Sequence, residues 1–492
     1  MLYCRPLVRS RPSSETSLTA RPLHLHLVAI GGTGMAPLAC LLQAEGHFVT
    51  GSDGPLYPPM STLLAAAGIQ PLVGFAVEHL EPAPDLVIVG NAVARTNPEA
   101  VETERRALPR LSMPEAMARF FLADRRPLVV AGTHGKTTTS AMAAWIWSAV
   151  GRDPGFLVGG IPVDLGVSFR RGGGPRFVIE GDEYNAAYFD REAKFLHYRP
   201  DTLLLTSVEY DHADLYPNPQ ALRDAYGKLL GLVPASGLVV ACGDTDELRE
   251  LTDRRAGLSA PVVYYGERES NAVRLLSEPA ASGDGVRFRL RDESGEEIEV
   301  ALPMWGVHNA TNALAVWAAA RRDGIAAPAL RDALAGFHGV KRRQERVGEG
   351  RGITVIDDFA HHPTAVEKTL QSLRMRFPGR RLFACFEPRS LTAGRTFFLD
   401  GYRRAFARAD RVLFAPIFHH DRLMSGERLD LESLAGELTA AGVSASALPS
   451  IDAVAASVLA EVVAGDVVVT MSSGSFAGLP MRLASALAAP PD

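Results

Sequence analysis

Cysteine is scarce in this chain: its 492 residues include four, Cys4, Cys40, Cys242 and Cys385. They lie far apart and never form a CxxC pair, which argues against a zinc or dithiol site and against a disulfide framework, and fits a reducing cytoplasm. No apolar run approaches the length of a membrane span, and the opening stretch MLYCRPLVRSRPSSETSLTARP has no apolar core of the kind a secretory leader needs. That stretch, residues 1–22, reads as a disordered tail. Basic charge is not concentrated anywhere: 51 Lys and Arg against 56 Asp and Glu leave a formal net charge of −5. Neither nucleic acid nor a membrane surface is therefore an expected partner, and a small or mixed-charge substrate fits better. Internal repeats and low-complexity tracts are also missing.

What is present is ample material for several cores, with 47% hydrophobic and 22% charged residues. Strand and helix signals alternate in three blocks, a pattern that implies parallel sheets covered by helices, an α/β class. LHLVAI reads as a buried strand, GGTG as a turn, MAPLACLLQAEG as a helix stopped by Gly46, and FVTGSD as the next strand. A second block starts near RRPLVVAGTHGK and contains the strands RFVIE and TLLLTSV; a third runs from ITVIDDF to GDVVVTMSSGSFAG. With boundaries near residues 124 and 338, the expected domains are 23–124, 125–337 and 338–492.

Two glycine turns follow strands. In the first, Gly32, Thr33 and Gly34 are followed at the end of the next strand by Asp53, the separation of a ribose contact in dinucleotide-binding folds. Pro37 stands where the third glycine would allow close helix packing, so the turn speaks for a bound diphosphate more than for NAD; a purely structural turn is the alternative. The second turn is more specific. Gly132, Thr133, His134, Gly135, Lys136, Thr137 and Thr138 end in the GK[ST] of a phosphate loop, although Val130 replaces its usual opening glycine. Lys136 would reach β/γ-phosphate oxygens and Thr137 a magnesium ion. Phosphoryl transfer needs further charge around the γ-phosphate. Glu180 in VIEGDEY and His212 in VEYDHADLY are placed to project from the same sheet edge, against the plainer readings of a solvated carboxylate and a surface histidine.

The segments AGTHGKTTT, IEGDEYNAAYFDREAKFLHYRPDTLLLTSVEYDHADLY, GVHNATNALAVWAAA, GVKRRQER and VIDDFAHHPTAVEKTL occur in an order that resembles the Mur ligase family from about residue 23 onward. YPPMSTLL, AKFLHYRP, DHADLY, GVKRR and EPRS are most similar to its branch that adds a murein peptide. The resemblance implies three domains: a Rossmann-like N-terminal UDP-binding domain, a central P-loop ATPase-type domain and a Rossmann-like C-terminal domain. It implies an ADP-forming ligase using ATP and Mg2+, which activates the lactyl carboxylate of UDP-N-acetylmuramate as an acyl phosphate and transfers it to a murein tripeptide, as a monomer or weak dimer. It assigns Lys136 to the phosphates, Thr137, Glu180 and His212 to magnesium, His361 to the transferred phosphate, Asn309 and Asn312 to the adenine side, and Arg343 and Asp358 to closure over the nucleotide. Gly32, Thr33, Gly34 and Asp53 fall to the UDP-sugar, and Arg389 and Arg395 of EPRSLTAGR to the acceptor's carboxylates. Asn309 has a second reading as a helix cap, and at least one of the adjacent His361 and His362 is expected to be structural. Lys228, near the place of a carbamylated lysine in several members, is not expected to serve as one. Gly181, Asn185 and the alanine-branch look of GGTGMAP leave an alanine-adding ligase as the alternative; a nicotinamide-dependent oxidoreductase or a nucleotide sensor is more remote.

Overall fold

The computed structural model describes residues 21–213, 215–253 and 257–489. The expected tail falls outside them except for its last two residues, of which Arg21 pairs with Asp85 at 2.8 Å. The described residues form two compact units, one running to Ala116 and including Ala187–Asp190, the other holding Met117–Ala186 and the chain from Arg191.

The first unit is built from β1 (His24–Val28), α1 (Met35–Ala44), β2 (Phe48–Asp53), α2 (Met60–Ala66), β3 (Leu72–Val73), β4 (Leu86–Val89), α3 (Pro98–Arg105) and β5 (Arg110–Ser112). The strands lie in the order β3-β2-β1-β4-β5 and every pairing is parallel. LHLV and LVIV are almost wholly buried, as strands covered on both faces require. α1 ends as expected at Gly46, whose φ of 88° only glycine adopts without strain. The order reverses beside β1, so the crevice at the strand ends opens where the first glycine turn leaves β1. Beneath it, the buried Glu99 of α3 accepts hydrogen bonds from Ser52, from Ala76 N at 3.1 Å and from His79 Nδ1 at 2.7 Å, tying α3 to β2. Tyr188 and Phe189 pack on this unit's core of Val28, Leu80, Val87, Val89, Val93 and Ala100.

After a short helix α4 (Met113–Met117), the second unit begins with β6 (Arg126–Ala131), α5 (Lys136–Ala149), β7 (Gly155–Leu157), β8 (Phe169–Arg170) and β9 (Arg176–Gly181). It continues through β10 (Thr202–Leu205), α6 (Pro219–Leu230), β11 (Leu238–Cys242), α7 (Asp246–Asp253) and β12 (Val262–Gly266). Then come β13 (Val273–Leu275), β14 (Ala280–Ser282), β15 (Gly285–Arg291), β16 (Glu297–Leu302), α8 (Val307–Arg322) and α9 (Ala327–Ala335). The sheet order is β14-β15-β13-β12-β11-β10-β6-β9-β7-β8, with β16 on β15. Its centre is parallel, as expected, but β15 pairs antiparallel with β13, β14 and β16, and β8 with β7. This extension has a physical origin in the sequence: GVRFRLR and EIEVAL alternate buried and exposed positions, the pattern of strands with one wet face. Arg176 at the start of β9 is buried between Asp201 and Asp323, and Asp323 also accepts from Trp147 Nε1 at 3.0 Å.

A third sheet in the same unit comprises β17 (Glu345–Gly350), β18 (Ile353–Asp358), α10 (Pro363–Arg376), β19 (Leu382–Phe386), α11 (Leu399–Phe406) and β20 (Arg411–Phe414). It is completed by α12 (Leu431–Ala440), β21 (Ser444–Ala447), α13 (Ile451–Glu461), β22 (Val467–Met471) and α14 (Leu479–Ala488). The order β17-β18-β22-β19-β20-β21 is parallel except for β17. The expected boundaries near 124 and 338 lie between β5 and β6 and between α9 and β17. No described helix is long and apolar enough to cross a membrane.

Candidate active site

The second glycine turn joins β6 to α5. Gly132 has φ 134°, and a Cβ there would collide with Thr206 Oγ1 and fall 2.8 Å from the Ser207 backbone. Gly135 caps α5 in the left-handed region with φ 79°, and a Cβ there would lie 2.9 Å from Asn312 Oδ1. The loop is held to the segment after β10: Thr133 N donates to Ser207 O at 2.9 Å and His134 N to Ser207 Oγ at 3.0 Å. The first residues of α5 are thus fixed with their N–H groups at the carboxyl edge of a parallel sheet, the arrangement that binds phosphates.

Lys136 Nζ donates to Gly132 O at 2.7 Å and to the Glu183 carboxylate at 2.9 and 3.2 Å. Burial alone would lower the ammonium's pKa, but Glu183, Asp182 and Glu180 outweigh it and hold it above the ordinary lysine value. Burial would likewise raise the Glu183 carboxyl, yet Lys136 and His212 bring it down to about 2. His212 Nε2 is 3.1 Å from Glu183. Glu180, at the end of β9, accepts instead from Thr137 Oγ1 at 2.8 Å and from Gly159 N at 2.7 Å. Burial and the neighbouring Asp182 push its carboxyl above the usual range. Thr137, Glu180 and His212 are therefore near one lysine but fall into two pairs, Thr137 with Glu180 and His212 with Glu183. Glu183 belongs to none of the motif assignments above; its local signal is the run EGDE, three residues past Glu180. Lys228 lies on an exposed turn of α6, paired with Glu192 at 2.8 Å.

A cavity of about 700 Å³ opens beside the loop, between the second and third sheets. His134, Gly135, Thr138, Asn309, Asn312, Arg343 and Asp358 all line it, together with His308, Gln344 and Lys368, which the motifs did not single out. Asn309 is not a helix cap: α8 starts two residues earlier behind Gly306, and Asn309 Nδ2 donates to Trp305 O at 2.8 Å. Arg343, in the turn that precedes β17, donates to Thr137 Oγ1 at 3.0 Å. Asp358 is buried and accepts from Gln344 N at 2.8 Å and Ala360 N at 2.7 Å. His362 has the structural role foreseen for one of the histidine pair, accepting from Thr364 N as the N-cap of α10. His361 holds Nδ1 3.1 Å from Phe359 O and does not line the cavity.

In the first unit, Asp53 clasps the first glycine turn. Its two oxygens accept from Gly31 N and Gly54 N, both at 2.7 Å, while Gly32, Thr33 and Gly34 lead into α1. A cavity of about 210 Å³ borders this corner at Gly54 and Leu56. In the third sheet, Arg389 lies 3.7 Å over the Phe418 ring and 3.5 Å from Glu387. Arg395 pairs with Glu427 at 3.2 Å, so each arginine already faces a carboxylate of its own.

Three family models match the chain in order: the Mur ligase family catalytic domain at residues 24–125, the Mur ligase middle domain at 130–320, and the Mur ligase glutamate ligase domain at 342–474. Among curated proteins, the UDP-N-acetylmuramate–L-alanyl-γ-D-glutamyl-meso-2,6-diaminoheptandioate ligase of Escherichia coli is 38% identical over 95% of this chain and 98% of its own. A UDP-N-acetylmuramate–L-alanine ligase of Mycolicibacterium vanbaalenii is 35% identical over 94% and 96%. The crystal structure of a murein peptide ligase from Psychrobacter arcticus is similar with a TM-score of 0.71 and 35% identity, covering 96% of this chain and all of that one. With a glycine loop, a facing carboxylate cluster and a third sheet that reaches the loop, all in the family's order along the whole chain, this protein belongs to the Mur ligase family.

Proposed function

We propose that the chain is an ATP-dependent, amide-forming ligase of peptidoglycan recycling that joins the lactyl carboxylate of UDP-N-acetylmuramate to L-alanyl-γ-D-glutamyl-meso-diaminopimelate. The observation that carries this reading is the end-to-end likeness to the Escherichia coli ligase whose name states this pair of substrates.

A carboxylate is a poor electrophile, and its oxide is a poor leaving group. In the reaction its oxygen attacks the γ-phosphorus of ATP, the bond to the bridging oxygen breaks, and ADP departs with the electron pair. The acceptor amine then attacks the acyl carbon, the carbon–oxygen bond to phosphate breaks, and the nitrogen releases a proton. Lys136 is placed to exchange Glu183 for β/γ-phosphate oxygens, since its ammonium stands at the start of α5 within the loop. Arg343, already on Thr137 Oγ1, would hold the third sheet against the γ-phosphate and its fork would offset developing charge. Asn309 and Asn312 present amides to the cavity for the base or ribose. Arg389 offers a guanidinium to an acceptor carboxylate.

The donor set fits magnesium: Glu180, Asp182 and Glu183 bring more negative charge than Lys136 balances, and Thr137 and Glu180 contribute hard oxygens. Thr137, Glu180 and His212 would hold the ion, which when bound neutralises phosphate charge. The reading is tested by acceptor-dependent ADP release with UDP-N-acetylmuramate, ATP and Mg2+. The tripeptide should be a far better acceptor than free L-alanine; preference for alanine would replace this reading with the biosynthetic alanine ligase.

A further inference from the structure

Three side chains outside the Lys136 cluster meet where the phosphate loop faces the N-terminus of α10. They are His134 of the loop, Glu209 of the segment after β10, and His362. One nitrogen or carboxylate oxygen from each lies within 4.8 Å of the other two. His134 Nε2 is 3.3 Å from Glu209 Oε2 and, although shielded from solvent, has no hydrogen-bond partner among the described residues. His362 Nδ1 is 3.9 Å from the same oxygen, and the two imidazole rings are 4.5 Å apart. The Thr364 hydroxyl donates to Glu209 Oε2 at 2.6 Å, the kind of outer contact that fixes the orientation of a metal-bound carboxylate. The ligase mechanism gives no role to Glu209 or to the His362 ring.

Two imidazoles and a carboxylate make a donor set that suits borderline dications such as Zn2+, whereas magnesium favours oxygen donors in an octahedron. Bonds of about 2.0–2.2 Å to a tetrahedral zinc place neighbouring donor atoms roughly 3.3 Å apart. The pair from His134 and Glu209 is already at that spacing. His362 Nδ1, 3.9 Å from the Glu209 oxygen, has about 0.6 Å to close to reach that spacing from Glu209. If Nδ1 is the ligand atom, it gives up its long cap bond from Thr364 N, now 3.2 Å.

We propose that His134, Glu209 and His362 form a binding site for a first-row dication of the zinc type, with water in the fourth position. The ion would stitch the phosphate loop to α10 beside the nucleotide cavity, which His134 and Glu209 line. The inference stands apart from the substrate assignment, because binding is measured on the nucleotide-free full chain.

The experiment is calorimetric titration with Zn2+ in excess Mg2+, repeated with Co2+ to read its visible absorption. One Zn2+ per chain is expected, together with Co2+ bands of four-coordinate intensity. Glu209→Gln and His362→Gln should each weaken Zn2+ binding at least tenfold and abolish those bands, while His212→Ala leaves both unchanged. Circular dichroism without metal establishes that each variant is folded, and either of the two suffices if the other is not. No Zn2+ binding by the parent chain, full binding by the variants, or loss on His212→Ala would overturn the proposal, the last by placing the ion in the magnesium cluster.

Discussion

Replacing Glu183 by Gln keeps the side chain's shape and removes its charge, so it isolates what that carboxylate does for Lys136 and His212. Glu183 is 2% exposed and Lys136 12%, and the two are 2.9 Å apart. Breaking such a pair by removing one partner costs about 3–5 kcal/mol. Lys136 keeps its 2.7 Å bond to Gly132 O and the attraction of Asp182 and Glu180. A loss of about 3 kcal/mol from the nucleotide-free protein is therefore expected, at the low end of that range. On the role proposed for Lys136, its ammonium exchanges Glu183 for phosphate oxygens when nucleotide binds, which confines most of the loss to the free state. By linkage the difference must reappear in binding: at least half of it, about 1.5 kcal/mol, would tighten ADP roughly tenfold. Removing a negative charge from the phosphate site acts in the same direction. Turnover should nonetheless fall, because His212 loses the carboxylate at 3.1 Å that orients it. The assay pairs thermal unfolding with and without ADP with calorimetry of ADP binding in EDTA, where no magnesium contact contributes. Weaker magnesium-free binding by Glu183→Gln, or unchanged stability, would refute the role of Glu183 as the counterion that Lys136 gives up.

Gly135→Ala should weaken nucleotide binding at least tenfold in calorimetry, since φ 79° costs alanine about 1–2 kcal/mol and the new methyl meets Asn312 Oδ1 at 2.9 Å; an unchanged affinity would remove the loop from the nucleotide site. Arg389→Ala should raise the tripeptide KM about tenfold or more and leave the ATP KM alone, as truncating a desolvated arginine–carboxylate contact costs about 2–5 kcal/mol; equal effects on both would assign Arg389 to general stability. Burial would raise the Asp201 carboxyl, but Arg176 and Arg126 hold it below the ordinary value. Its contribution to stability is therefore fully present above the unfolded carboxylate's pKa and is lost as pH falls through the lower folded value. Arg176→Met should then shrink the decline in unfolding midpoint between neutral and acid pH, and an unaltered acid profile would contradict this.

Much of the architecture was legible because it rests on local pattern. LHLV and TLLL are apolar runs of strand length, and Gly46 marks a helix end that needs a left-handed residue. Where local preference competed with tertiary demand it misled. Asn309 has the chemistry of a cap, yet Gly306, with φ 97°, starts α8 earlier and turns Asn309 toward the cavity wall. The antiparallel strands β15 and β16 carry alternating rather than continuous apolar residues, a weaker local signal than the buried apolar runs of their neighbours. The 3.0 Å contact between Arg343 and Thr137 spans 206 residues of sequence and has no local signature at all; the family resemblance implied closure of Arg343 over the nucleotide, not this hydroxyl.

The case of Lys136 goes further. A phosphate-loop motif identifies the partner of the nucleotide-bound state and is silent about what satisfies the same buried ammonium in its absence. Physics requires such a partner, because an unpaired charge at that depth would depress its own pKa or destabilise the fold. That requirement can be turned into a search of the sequence: the partner must lie on a neighbouring strand's end at the same sheet edge. β9 pairs with β6 so that Gly181 is level with Ala131, immediately before the loop. The residues just past that level, Asp182 and Glu183, are where a counterion must be sought, and EGDE supplies two of them. The register of one strand pair, which the apolar pattern specifies, thus carries the information that the motif omits.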